Sequence, residues 1–109
     1  MELLTPDNLT AFVQAARDFL NDAPVELYVD NICYGYEPVT VEQREMGGVL
    51  VAEFRASGIS NSIAAFSEES PHRTEYQLEP DVGYLLIHVY PQGEQRSVIA
   101  YTRRQGAEG

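Results

Sequence analysis

Tyr84-Leu85-Leu86-Ile87-His88-Val89-Tyr90 alternates between two kinds of side chain. A β-strand sends successive side chains to opposite faces, so Leu85, Ile87 and Val89 share one face and Tyr84, Leu86, His88 and Tyr90 the other. The first is a plain core face. The second carries three rings with polar tips, which suit a surface that is apolar and wet at once. One strand of this kind needs partners, and the flanking sequence supplies them. Arg73–Glu79 alternates Thr74, Tyr76 and Leu78 against polar residues, and Pro80-Asp81 with Gly83 turns the chain into Tyr84–Tyr90. Pro91–Gln95 makes a second reversal, into Arg96–Arg103. These three segments read as an antiparallel meander.

Toward the N-terminus the same period recurs. Val25, Leu27 and Val29 alternate with Glu26, Tyr28 and Asp30, and Gly35-Tyr36-Glu37-Pro38 reads as a turn. A strand from Val39 to about Met46 then meets Gly47-Gly48, a tight hairpin into Val49–Arg55, where Leu50, Ala52 and Phe54 share a face. Ala56–His72 is ambiguous. Ile59, Ile63 and Phe66 have helical spacing, but Glu68-Glu69 would sit at the disfavoured C-terminal end of such a helix. A short strand over Ser62–Ser67 with a loop to Pro71 fits nearly as well.

The period changes only near the start of the chain. Leu9, Phe12, Val13, Ala16, Phe19 and Leu20 form a single helical stripe. Thr5 suits an N-cap, Pro6 the first helical position, and Asp7 the positive end of the helix dipole. Asn21-Asp22-Ala23-Pro24 ends the helix. The expected architecture is therefore α+β: one N-terminal helix packed on an antiparallel, meander-like sheet of about five or six strands. A small, partly rolled sheet with a helix is the alternative. No repeat or linker divides residues 1–109, which read as a single domain with a frayed tail at 105–109.

Composition narrows the function. Seventeen acids face seven basic residues, all arginine, for a net charge of −10. That balance disfavours direct binding to nucleic acid, whose affinity comes from cations on phosphates, and equally to anionic membranes. The lone Cys33 excludes an internal disulfide framework and a zinc site of several thiolates. Met1-Glu2-Leu3-Leu4 is followed at once by Thr5-Pro6-Asp7, without the basic and apolar regions of a signal peptide, and no stretch approaches the roughly 18 apolar residues of a membrane span. A cytoplasmic location is the expectation.

Motifs for chemistry are sparse. Cys33 with His72 or His88 could in principle pair a nucleophile with a base, but Asn31-Ile32-Cys33-Tyr34-Gly35 matches no thiol-enzyme signature. There is no paired-histidine metal motif, calcium loop, phosphate cradle or dinucleotide fingerprint. Gly58-Ile59-Ser60-Asn61-Ser62 lacks the closing glycine of a nucleophile elbow. No catalytic residue, metal or cofactor is assigned. The sequence instead favours a non-enzymatic interaction domain, an adaptor, inhibitor or immunity-type protein with a larger basic partner. Imitation of nucleic-acid phosphates is its sharper form. Tyr84, His88, Tyr90 and Tyr28 are the partner-binding residues, with Tyr76 or Tyr101 as further members of their face. A ligand-binding or minor enzymatic domain with a pocket lined by Phe12, Phe19 and Phe54 is the second class. A homo-oligomer, such as a homodimer, is the third.

Overall fold

In the computed structural model the described residues are 1–69 and 72–90, together with the backbone of 96–102. The Pro91–Gln95 reversal, Arg103 and the 105–109 tail lie outside the described residues. Nine strands and one helix follow in the order β1 (Glu2–Leu3), α1 (Leu9–Leu20), β2 (Pro24–Val29), β3 (Ile32–Pro38), β4 (Thr40–Met46), β5 (Val49–Ala56), β6 (Ile59–Ala64), β7 (Arg73–Glu79), β8 (Tyr84–Tyr90) and β9 (Arg96–Thr102). The α+β class holds, with one helix on antiparallel sheet. The strands divide, however, into a six-stranded sheet ordered β1-β7-β8-β9-β2-β3 and a three-stranded sheet ordered β4-β5-β6.

The six residues of the helical stripe are the six that α1 buries. Its start differs from expectation. The helix begins at Leu9 after Asn8, not after Thr5. The Asn8 side chain accepts the Thr5 N–H at 2.8 Å and donates to the Leu3 carbonyl at 2.9 Å, so it ties the helix entrance to β1. Pro6 and Asp7 are spent in the turn closed by the Asn8 N–H on the Thr5 carbonyl at 3.1 Å. The end is as read: Asn21 takes a left-handed conformation and its N–H bonds the Arg17 carbonyl.

Hairpin chemistry explains the other difference. The turn read at Gly35–Pro38 is instead made by Asp30 and Asn31, at φ 52° and 70°, between the paired residues Val29 and Ile32. Asn and Asp tolerate this left-handed geometry, and two such residues match the twist of the strands they join. Gly35 remains a backbone irregularity, at φ 105°, where the β2–β3 register shifts. Gly47 and Gly48, at φ 61° and 83°, make the hairpin between β4 and β5 as expected. The ambiguous segment contains β6, paired with β5 through a turn at Ser57-Gly58.

Two seams join the sheets. At one, β3 passes into β4 through the single buried residue Val39. At the other, the Phe66 N–H bonds the Leu4 carbonyl and the Leu4 N–H bonds the Thr74 carbonyl, each at 2.8 Å. One core cluster draws on both sheets and the helix, from Leu4 and Leu9 to Leu85 and Ile87. Phe12 sits between Phe54 of the small sheet, at 6.2 Å between ring centroids, and Tyr76 of the large one, at 4.5 Å. Thr74 is fully buried at the second seam and donates its hydroxyl to the Ala64 carbonyl at 2.8 Å. Thr74→Val keeps the shape but strands that carbonyl, so urea denaturation should show a loss of about 1–3 kcal/mol. An unchanged midpoint would show that the seam does not depend on this bond. Among the described residues no helix is long and apolar enough to cross a membrane.

Candidate functional site

The strand register sorts the described side chains of β2, β7 and β8 onto two faces of the large sheet. Val25, Leu27 and Val29 of β2 and Leu85 and Ile87 of β8 are buried against the helix side. Tyr84, Leu86, His88 and Tyr90 turn the other way and are half-buried, as are Glu26 and Tyr28 of β2. Backbone pairing brings these residues into rows across the sheet. One row runs Glu79, Tyr84, residue 101, Glu26, Tyr36, and the next runs Gln77, Leu86, residue 99, Tyr28, Cys33. Tyr28 and Leu86 are thus separated by two strand spacings, about 10 Å. His88 and Tyr90 lie beside each other along β8, with ring centroids 6.2 Å apart.

The four residues singled out from sequence therefore share one face, and Tyr101 is at a register position opposite Tyr84. Tyr76 does not join them. It lies on the helix side, where its ring meets Phe12 and its hydroxyl donates to Glu2 at 2.6 Å. Burial, with the neighbouring Glu2 carboxylate, pushes its pKa up to about 12. Tyr36 and Cys33 belong to the outer face but were hidden by the misplaced turn.

Carboxylates are interspersed on this surface. Glu75 stands opposite His88, Glu79 opposite Tyr84, and Glu26 opposite Tyr36. Arg73, opposite Tyr90, is a cation beside them, and its guanidinium is held by Glu75 at 3.0 Å. Other described arginines are likewise engaged within the molecule. Arg17 donates to the Val41 carbonyl at 3.0 Å, and Arg44 and Arg55 both pair with Glu53.

Glu53 occupies the middle of the small sheet's outer face and is buried, which the sequence did not signal because acids are plentiful throughout. The Ser60 hydroxyl, donating at 2.8 Å, lowers its pKa from the ordinary value, Arg55 and Arg44 act in the same direction, and burial offsets part of the shift. A lowered folded-state pKa contributes stability that is fully present above the unfolded value and is lost as pH falls through the folded one. Glu53→Gln should therefore weaken the protein near neutrality and flatten the acid limb of its stability profile. Urea denaturation from about pH 7 to about pH 3 reads this directly, and parallel profiles for the two proteins would contradict it.

Two concave features are formed by described residues. A cavity of about 290 Å³ lies between the end of α1 and β4, lined by Arg17, Asn21, Asp22, Thr40 and Glu42 among others. Another of about 420 Å³ lies by the β5–β6 turn, near Arg55, Ser57 and Ser60. Phe12, Phe19 and Phe54, considered as pocket walls, line neither cavity and are buried in the core. Cys33 and His88 stand three strand spacings apart, about 14 Å, beyond proton-transfer reach of each other. Among the described residues no cluster of three or more His, Cys, Asp or Glu side chains could hold a metal ion. Comparisons with protein-family models, with curated proteins and with solved structures found no match.

Proposed function

We propose that the protein is a non-enzymatic interaction domain that binds a larger, basic protein through the outer face of its six-stranded sheet. The observation that carries this reading is the face itself: Tyr28, Tyr84, His88 and Tyr90 around Leu86, with Glu26, Glu75 and Glu79 among them. Tyrosine covers much apolar area at low entropic cost and keeps a hydroxyl for water or a partner, which is why it concentrates at binding hot spots. The net charge of −10 supports the choice of a basic partner, since complementary fields steer encounter and exclude like-charged competitors. Such a domain acts as an adaptor, inhibitor or immunity-type protein.

The test is capture from a lysate of the source cells at low and at roughly physiological salt. A stoichiometric basic protein that fades as salt rises is the expected result, and no such protein at either salt would overturn the reading. The sharper version, in which the carboxylates imitate a phosphate array, makes a separate demand. The captured protein must bind DNA, and DNA must compete with this domain for it; failure to compete removes that version.

A further inference from the structure

We infer that β3 accepts an extended, basic segment of another protein as a seventh strand of the large sheet. The inference rests on the reading above and names the chemistry and the binding mode of the partner. β3 is the outermost strand on its side, and among the described residues no backbone hydrogen bond reaches it from any strand but β2. Ile32, Tyr34 and Tyr36 are 57%, 40% and 51% exposed, three of the six large hydrophobic residues that are exposed among the described residues.

Proteins ordinarily protect such an edge with lysine, inward charges, proline or shortness, because its unpaired amides and carbonyls template another strand. β3 runs for seven residues, has no basic side chain, and places its proline last, at Pro38. The bulge at Tyr34-Gly35, the inward-side Glu37 and the terminal Pro38 limit the pairing without closing the edge from Ile32 to Tyr36.

Charge selects the occupant. Between Arg17 and Arg44 the chain holds six acids, Asp18, Asp22, Glu26, Asp30, Glu37 and Glu42, and no basic residue. Two of these, Glu26 and Glu37, stand on opposite faces of the β2–β3 ladder. A second copy of the chain would bring like charges together, whereas a strand with Arg or Lys at alternate positions meets Glu26 and the Tyr36 ring on one face. Cation–π contact there adds to the carboxylate attraction. Main-chain pairing at an edge with side chains read alternately is an established mode of peptide recognition. Here it extends the tyrosine face by one strand, since Tyr36 ends the row that begins at Glu79 and Tyr84.

The experiment uses the full chain, isotope-labelled, with a short peptide of alternating arginine and valine. Control peptides carry glutamate in place of arginine or a central proline. Binding should shift the amide resonances of Ile32–Glu37 and slow their exchange, weaken with salt, and be about tenfold or more tighter than for either control. Tyr36→Lys, at an exposed position, should reduce affinity by a similar factor while the spectrum stays that of a folded protein. Shifts confined to Tyr84–Tyr90, or no response at either place, would overturn the edge proposal, while the sheet-face reading stands or falls on the capture of a basic protein. Protection of β3 without peptide, together with a doubled mass in sedimentation, would assign the edge to a second copy and overturn the basic occupant.

Discussion

Phe12→Ala should lower the free energy of unfolding by about 3–5 kcal/mol, the range for deleting a buried aromatic ring. Phe12 is 2% exposed and touches Phe54 on one sheet and Tyr76 on the other, so its removal opens a void where the helix meets both. The two sheets are otherwise joined by the one-residue crossing at Val39, backbone bonds near Leu4 and Phe66, the Thr74 hydroxyl on the Ala64 carbonyl, and the rest of the shared core. Little can collapse to fill that space without shifting a sheet. A domain of this size has about 5–15 kcal/mol in hand, so the variant falls near the threshold of folding. Urea denaturation would read the loss, with the exposed Gln14→Ala as a control expected within about 0.5 kcal/mol of the parent. A loss below about 1 kcal/mol for Phe12→Ala would mean that the helix is not seated between the sheets as described.

Replacing Tyr28 and Tyr84 together by alanine should weaken partner binding by roughly 30-fold or more, the effect of losing at least one hot-spot side chain. Both are half-buried on the face away from the helix, so neither holds the central core together. Their thermal midpoints should move far less than that of Phe12→Ala. Affinity for the captured protein and thermal unfolding of the same preparation separate the two effects. Parallel losses of binding and stability would instead make the tyrosines part of the scaffold.

Much of this arrangement was legible in the residues. The strict alternation of Tyr84–Tyr90 predicts which side chains face the helix, and the helical stripe from Leu9 to Leu20 predicts what they pack against. Period survives folding because burial enforces it. Turn chemistry was less decisive. Gly35 attracted the turn that Asp30-Asn31 makes, because either pair of signals permits left-handed backbone and only the strand pairing decides between them. That misreading concealed β3, and with it the exposed Ile32, Tyr34 and Tyr36. The helix start moved for a related reason: the Asn8 side chain bonds Thr5 and Leu3, a long-range demand of β1 that local capping preferences do not encode. The division into two sheets was invisible because hairpin periodicity is the same within one sheet or two. Tyr76 was placed with the wrong face for want of register, whereas its own strand pattern, with Thr74 and Leu78, already grouped it with apolar residues.

The most direct test of the central claim is hydroxyl-radical footprinting of the protein alone and in complex with its captured partner. Tyr28, Tyr84, His88 and Tyr90 should lose reactivity together in the complex, while Met46, 49% exposed on the small sheet, keeps it. Protection of Met46 with the four sheet residues as reactive as before would contradict the account and move the binding surface to the other sheet.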